Sequence, residues 1–246
     1  MANQRTPGPV GLSPDTAASA PTIQTTSRAA HTDPGAKPDQ ATQPMPDFDA
    51  DTVLLAAVAY GEASVESPIE ELTAIAQVLV RRAKATGHTK IKAYLEADPT
   101  FAYAAVDGNA RFKLLSKAKP ETRWADPGMR RALQGARNAI ENIGTDYSNG
   151  AYFWDGKDLK SNYTNHPKVK AGIKFDQPEH NIFDVKESAK AGITYWQVPD
   201  KHGKLVNGRE RGRYDTVYIS TAAWGQTVFW KHPDDYLKAV SGKAWK

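Results

Sequence analysis

Residues 51–62 read Asp51-Thr52-Val53-Leu54-Leu55-Ala56-Ala57-Val58-Ala59-Tyr60-Gly61-Glu62. Asp51 or Thr52 is able to cap the start of a helix, and Gly61 is of the type at which helices often stop. A helix with so few polar residues must be buried nearly all round. The stretch therefore predicts a short central helix that carries Glu62 at its C-terminal end.

A second helix follows directly. Ser67 is a suitable N-cap, Pro68 suits the first helical position, and Glu70 stands where a capping box needs it. Apolar residues then recur at helical spacing up to about Ala85. The same pattern predicts a further helix over 127–144, which begins at an Asp-Pro pair and ends at a glycine.

The second half of the chain favours strands. Residues 98–125 are predicted to be irregular, and 151–154 is a short aromatic strand between glycines. Later strands are predicted at Ile193–Val198, Thr216–Thr221 and Gln226–Trp230, with a turn near Asp200–Gly203. The fold class expected is therefore α+β, helical first and strand-rich late.

Composition divides the chain near residue 47. Residues 1–47 contain no Phe, Trp or Tyr but eight of the sixteen prolines, which predicts a disordered Pro/Thr-rich linker. Residues 48–246 are long enough for one domain with a core. No apolar run is long enough to span a membrane, and no ordinary secretory signal is expected.

Charge and cysteine content exclude several classes of function. The absence of cysteine excludes disulfides, thiolate zinc sites and thiol nucleophiles, including those of papain-like wall amidases and peptidases. The net charge of +4 suits an anionic partner such as a cell-wall polymer and is too small to indicate nucleic acid.

Glu62 is the first candidate for chemistry. A carboxylate at a helix C-terminus faces the negative end of the helix dipole, and an apolar helix implies apolar neighbours. Both effects favour the neutral acid and should raise the pKa of Glu62. That is the property that a general acid needs to protonate a leaving oxygen. An exposed glutamate just past a helix end is the plain structural alternative.

The order of motifs resembles the SleB-type cell-wall hydrolases over roughly 50–185. Five segments carry the resemblance: Gly61-Glu62-Ala63 with the helix Ala74–Arg82, Phe101 with Asp107-Gly108, the helix with Ala132, Ala136 and Gly144, Gly150-Ala151-Tyr152-Phe153, and Glu179-His180-Asn181-Ile182-Phe183. The resemblance implies a lysozyme-like fold that acts on peptidoglycan glycan strands, with Glu62 as the acid. Residues 186–246 form a strand-rich extension beyond the family pattern.

A hydrolase usually needs a second carboxylate as nucleophile or base. Glu71 lies nine residues after Glu62, a spacing that resembles the pair of phage-type lysozymes, and the helical wheel puts it beside the apolar face, at the edge of a cleft. An equally supported interpretation is that Glu71 is a solvated glutamate in the first turn of the helix. Glu70 and Glu66 are weaker rivals.

Other candidates concern substrate binding. Tyr152 and Trp154 have rings that could stack on sugars, with core packing as the alternative, and His180 fits the family ending but is more often structural. The six histidines show no metal-ligand spacing, so no metal and no cofactor are predicted.

The sequence thus predicts a monomeric muramidase, a glycoside hydrolase that cleaves between N-acetylmuramic acid and N-acetylglucosamine through Glu62 and Glu71. Lytic transglycosylase chemistry by Glu62 alone, a non-catalytic glycan-binding module and a metal-dependent amidase are the alternatives.

The biological context follows from the predicted target. The chain is expected to be an antibacterial effector or toxin domain, secreted by a non-classical route and acting in the periplasm or cell wall of the target cell. Its partners would be glycan strands and an acidic immunity protein, with neither nucleic acid nor membrane insertion. A phage lysis enzyme is the other origin considered.

Overall fold

Residues 45–246 are described by a computed structural model of the protein. The linker predicted over 1–47 lies, up to residue 44, outside the described residues. The helices are α1 (Ala50–Glu62), α2 (Ile69–Ala85), α3 (Ile91–Ala97), α4 (Ala110–Lys117), α5 (Pro120–Ala125), α6 (Pro127–Glu141), α7 (Asp158–Ser161), α8 (Pro167–Ala171) and α9 (Asp234–Val240). The strands are β1 (Phe153–Asp155), β2 (Ile173–Lys174), β3 (Gly192–Pro199), β4 (Leu205–Tyr214), β5 (Tyr218–Trp224) and β6 (Thr227–Lys231).

Helix α1 lies at the centre of the helical part, as its apolar sequence predicts. It packs against α2, α4 and α6, and Leu55 and Val58 are completely buried. Its cap is Asp49, whose carboxylate accepts a hydrogen bond from the Thr52 backbone N–H at 2.7 Å, so the prediction of Asp51 or Thr52 as the cap is wrong. Asp51 instead accepts hydrogen bonds from the first backbone N–H groups of α3.

Gly61 does not stop α1, which continues through Glu62. A Cβ at Gly61 would lie 2.7 Å from the Cβ of Ala104 and 3.2 Å from that of Phe112. The glycine is therefore needed for the close approach of the Ala104 and Phe112 side chains rather than for a turn.

The start of α2 differs from the predicted capping box. The helix begins at Ile69 after Pro68, and no side chain caps it. Ser67 has a positive φ of 48° and its hydroxyl contacts the Ser64 carbonyl and Arg111 instead. The third predicted start is confirmed, because Asp126 caps α6 through the Met129 backbone N–H at 2.8 Å.

Residues 45–246 form two sheets, mostly late in the chain. A four-stranded sheet has the order β1-β6-β5-β2, in which β1, β6 and β5 are antiparallel and β2 joins β5 in parallel. The second sheet is the hairpin β3–β4, whose residues 195–199 and 201–207 are exposed. The predicted strands near 193–198, 216–221 and 226–230 are confirmed with shifted ends.

The class is therefore α+β. The segment 98–125 was predicted to be irregular, and this is wrong, because it contains a 3₁₀ turn at Tyr103–Ala105 followed by α4 and α5. Within residues 45–246, none of the helices combines the length and the apolar character needed to cross a bilayer.

Candidate active site

Glu62 is the last residue of α1 and is half-buried. Its Oε1 accepts a hydrogen bond from the Ala104 backbone N–H at 2.7 Å, and the Trp154 side chain, on β1, also hydrogen-bonds the carboxyl group. Since the indole N–H is only a donor, Trp154 and Ala104 both present hydrogens to this carboxyl. The helix end, the 3₁₀ turn and the sheet therefore meet at Glu62.

Burial raises the pKa of Glu62 above its ordinary value. The hydrogen bonds from Ala104 and Trp154 act in the opposite direction, and the negative charges of Asp107 and Asp158 raise the pKa further. A carboxyl group of this kind keeps its proton to higher pH and is able to donate it, which is the property predicted from the sequence.

Trp154 is fixed by an aromatic and cationic stack. Its ring packs edge-on against the ring of Phe101, with 4.8 Å between the two centroids. The Arg82 guanidinium lies 3.8 Å from the centroid of the Phe101 ring. Trp154 is half-buried against the core, so it contributes both to packing and to the surroundings of Glu62. Tyr152, the other predicted sugar platform, lies near Arg81, with the guanidinium 5.8 Å from its ring centroid.

Glu71 lies inside the molecule with no exposed surface, so the prediction that it lines a cleft edge is wrong. Its Oε2 accepts hydrogen bonds from the backbone N–H and the hydroxyl of Ser64, at 3.1 and 2.5 Å. Its Oε1 accepts from the Gln226 backbone N–H at 3.0 Å and the Thr227 hydroxyl at 2.8 Å. Four donors thus occupy the two oxygens of this carboxylate.

The loop that follows Glu62 is held from two sides. Glu71 of α2 binds Ser64, while Arg111 of α4 donates to the carbonyls of Ala63 and Ser64. The geometry gives Glu71 a positioning role next to Glu62. The two weaker rivals differ in exposure, since Glu66 is exposed in this loop and Glu70 is half-buried in the first turn of α2.

His180 lies in a 3₁₀ turn, Pro178–His180, against the four-stranded sheet. Its Nδ1 is 2.9 Å from the hydroxyl of Ser220 on β5. Burial lowers the pKa of His180, so the ring favours its neutral form. These contacts attach the turn to β5, which corresponds to the structural alternative considered for this residue.

One group of residues near Glu62 was missed by sequence reasoning. The Asp158 carboxylate is 3.4 Å from His166 Nε2, which is 3.3 Å from the Asp155 carboxylate, and Asp155 also binds the Lys168 ammonium at 2.7 Å. We call Asp155, Asp158, His166 and Lys168 the charged cluster. The available signal was an Asp-x-x-Asp that begins at the last residue of the strand carrying Trp154.

The charged cluster is arranged from the interior outwards. The side chains of Asp155 and His166 are 8% and 4% exposed, whereas that of Asp158 is 63% exposed. Although burial opposes protonation, hydrogen bonds to Asp155 and Asp158 raise the pKa of His166 to about 9. The hydrogen bond to His166 lowers the pKa of Asp158. Near neutral pH His166 is therefore protonated and Asp158 ionised.

Three of these residues also offer ligand atoms within 4.8 Å of one another, which is close enough for a metal ion. Lys168 and the protonated His166 already neutralise both carboxylates, so a cation would have to displace an ammonium group and a proton. The donor set therefore fits an ion-pair cluster better than a metal site. Asp155 Oδ2 and His166 Nδ1 are nevertheless buried without a partner among residues 45–246, an arrangement that costs stability.

A separate cavity lies at the other end of α1. It has a volume of about 410 Å³ and is lined in part by Asp51, His88 and Ile140. Because α1 has 13 residues, this end lies roughly 20 Å from Glu62. The cavity is therefore not part of the candidate site.

Comparison of this chain with models of protein families, with curated proteins and with solved structures finds no match.

Proposed function

We propose that the protein is a muramidase that cleaves the glycan strands of peptidoglycan, with Glu62 as the general acid. The observation that carries the proposal is the half-buried Glu62 carboxyl, with its raised pKa, at the junction of α1, the 3₁₀ turn and β1. An acid of this kind donates a proton to the leaving oxygen while the glycosidic bond breaks.

The substrate class rests on two further supports. The order of motifs resembles the SleB-type hydrolases, and a buried helix that ends in a glutamate beside a small sheet agrees with the lysozyme-like fold that we propose. The net charge of +4 favours association with an anionic polymer. The half-buried Trp154 offers an aromatic surface beside the acid.

The decisive experiment digests purified sacculi and identifies the released muropeptides by mass spectrometry. The wild type should release fragments with reducing N-acetylmuramic acid ends. Glu62→Gln keeps the size of the side chain and an acceptor for the Ala104 N–H but removes the acid, so we expect a loss of at least about 100-fold in rate. Glu121→Gln makes the same change at an exposed position of α5 and should retain activity. Full activity of Glu62→Gln would refute the proposal.

Lytic transglycosylase chemistry is the second candidate, because the burial of Glu71 removes the carboxylate that the sequence suggested for hydrolysis. In that reaction a hydroxyl of the sugar closes onto the anomeric carbon. Anhydro-muramyl ends in the same digests would identify it. A non-catalytic glycan-binding module predicts sacculus binding by the wild type without any soluble product, and a metal-dependent amidase predicts release of stem peptides that stops with chelator.

The cellular role that we propose is that of an antibacterial effector acting on the wall from the periplasm, with an acidic immunity protein as its partner. Expression of residues 45–246 in the cytoplasm and in the periplasm tests the target. Lysis only from the periplasm supports a wall substrate, and toxicity from the cytoplasm contradicts it.

A further inference from the structure

The charged cluster begins at the end of β1, the strand that also carries Trp154, which binds the candidate acid Glu62. Trp154 hydrogen-bonds Glu62, Asp155 is the next residue of β1, and Asp158 begins α7 three residues later. The 3₁₀ turn that binds Glu62 through Ala104, at 2.7 Å, follows Phe101, whose ring centroid lies 4.8 Å from that of Trp154, so the end of β1 lies beside the acid. The negative charge of Asp158 also raises the pKa of Glu62. Asp158 is thus a second carboxylate near the acid and, unlike Glu71, is open to solvent.

Asp158 is supported by a chain of polar side chains, of which Asp155 and His166 are buried and Lys168 is half-buried. His166 Nε2 lies 3.4 Å from a carboxylate oxygen of Asp158 and 3.3 Å from the carboxylate of Asp155. The Lys168 ammonium group in turn lies 2.7 Å from the Asp155 carboxylate. Lys168 also reaches the Trp154 carbonyl, at 3.4 Å. Lys168 therefore contacts both the strand that binds Glu62, through the Trp154 carbonyl, and the residues that support Asp158, through Asp155. An isolated surface aspartate has no such support.

We propose that Asp158 is the catalytic base of the glycosidase, and that His166, Asp155 and Lys168 are positioning residues that hold it ionised and oriented. This inference rests on the proposed function and adds the residue that activates water. It also replaces Glu71 as the second carboxylate, since the four hydrogen bonds of Glu71 occupy both of its oxygens inside the protein.

The step balances with water as the only co-reactant. The Glu62 carboxyl gives its proton to the glycosidic oxygen as the bond from that oxygen to the anomeric carbon breaks. A water oxygen bonds to the anomeric carbon on the opposite face, and the water proton passes to the Asp158 carboxylate. Glu62 is left ionised and Asp158 protonated, and exchange with solvent restores both groups. A single displacement of this kind inverts the anomeric configuration.

The electrostatics of the two carboxyl groups agree with these roles. Burial raises the pKa of Glu62, whereas the hydrogen bond from His166 lowers the pKa of Asp158. Two carboxyl groups whose surroundings move their pKa values apart are typical of an acid and base pair. The groups that face Asp158 are His166 and Lys168, on the cationic side, and Asp155 and Glu62, on the acidic side.

Asp107 is the rival carboxylate, because its charge also raises the pKa of Glu62. It is exposed, and its Oδ1 accepts a hydrogen bond from the Asn109 backbone N–H at 2.9 Å. Asp107→Asn is therefore the matched control for Asp158→Asn, because each substitution removes one negative charge near Glu62 and only the second removes the proposed base.

The first test measures kcat and KM on soluble glycan fragments, with folding checked by thermal melting. Asp158→Asn should lower kcat by about 100-fold or more with little change in KM, as expected for a lost general base. Asp107→Asn should stay within about tenfold of the wild type. If Glu62→Gln is inactive while Asp158→Asn keeps wild-type kcat, Asp158 is not the base, although the proposed function survives. If Glu62→Gln is active, the proposed function itself fails.

The second test is the pH profile of kcat/KM. The rate should rise with pH as Asp158 ionises, below its ordinary pKa of 3.8, and fall as Glu62 ionises, above its ordinary 4.5. His166→Gln removes the main cause of the low pKa of Asp158, so the acidic limb should move to higher pH while the alkaline limb moves less. An acidic limb that stays in place would show that His166 does not act on the base.

Two further outcomes would overturn the inference. NMR of the newly formed product should show inverted anomeric configuration, and retention would exclude water activation by Asp158. Loss of activity with a chelator, restored by a divalent cation, would mean that the charged cluster is a metal site instead.

Discussion

At the scale of single residues, Glu62 and Glu71 show how different surroundings give two identical side chains different properties. Glu62 contacts one backbone N–H and one indole, and its pKa is raised. Glu71 receives four hydrogen bonds, which is the arrangement that stabilises a buried ionised carboxylate. The first is therefore suited to proton donation and the second to holding other residues in place.

Removal of Glu71 should destabilise the protein strongly. Glu71→Ala leaves four donors without an acceptor and a cavity beside Ser64, so we expect a loss of about 3–5 kcal/mol in the free energy of unfolding. Urea denaturation followed by tryptophan fluorescence measures it. Glu70→Ala, at the adjacent half-buried position, should cost less than about 1 kcal/mol. Equal effects of the two substitutions would contradict the structural role of Glu71.

At the scale of elements, the connection between β5 and β6 is shaped by this same carboxylate. Gly225 has a φ of +57°, and a Cβ there would lie 2.6 Å from Glu71 Cδ. The turn therefore needs glycine both for its left-handed backbone and for the space that Glu71 occupies. Gln226 and Thr227, which bind Glu71, follow immediately in the chain.

Gly225→Ala should lower stability by more than the backbone conformation alone explains. Left-handed backbone costs about 1–2 kcal/mol for a residue with a Cβ, and the clash with Glu71 adds to it. Gly150→Ala is the control, because φ at Gly150 is +79° and a Cβ would meet nothing within 4 Å. The difference in midpoint of thermal unfolding between the two variants gives the contribution of the clash, and a difference of zero would contradict it.

The elements that the sequence predicted well are those whose signals are local. The apolar run of α1 and the Asp-Pro start of α6 depend on neighbouring residues only. The capping box predicted for α2 does not form, and the Ser67 hydroxyl instead contacts Arg111, from a helix that is distant in the sequence. The position of Glu71 was missed because a helical wheel gives a direction but not the β5–β6 turn that covers it.

The charged cluster was missed for a related reason. Asp158, at the start of α7, and His166, just before α8, are eight positions apart, and no regular element spans both. The raised pKa of Glu62 agrees with the sequence prediction because its main cause, burial, follows from the apolar helix that is visible in the sequence.

At the scale of the whole molecule, His166 makes stability depend on pH. Its pKa is about 9 in the folded protein against an ordinary value of 6.5. The stability that it contributes is therefore complete below about pH 6.5 and is lost as the pH rises through 9. Below that range the unfolded chain binds the same proton.

This pH effect is measurable against His166→Gln. The wild type should exceed the variant in free energy of unfolding by about 1–3 kcal/mol more at pH 6 than at pH 10. Urea titrations at the two values give the numbers, and the variant corrects for lysines and tyrosines that titrate in the same range. A difference that does not change with pH would show that folding leaves the pKa of His166 unshifted, and a larger difference at pH 10 would show that the folded protein favours the neutral ring.

The hydrogen bonds between Glu71 and the β5–β6 turn also determine when, during synthesis of the chain, the loop beside Glu62 is held in place. Glu71 and Gln226 are 155 positions apart. At ribosomal rates of 5–20 residues per second, about 8–30 s separate the two residues as they are made. During that interval the growing chain contains Glu62 but lacks Gln226 and Thr227, which bind Glu71, the residue that holds the loop beside Glu62. The four hydrogen bonds of Glu71 are therefore complete only after the chain has been translated beyond residue 227.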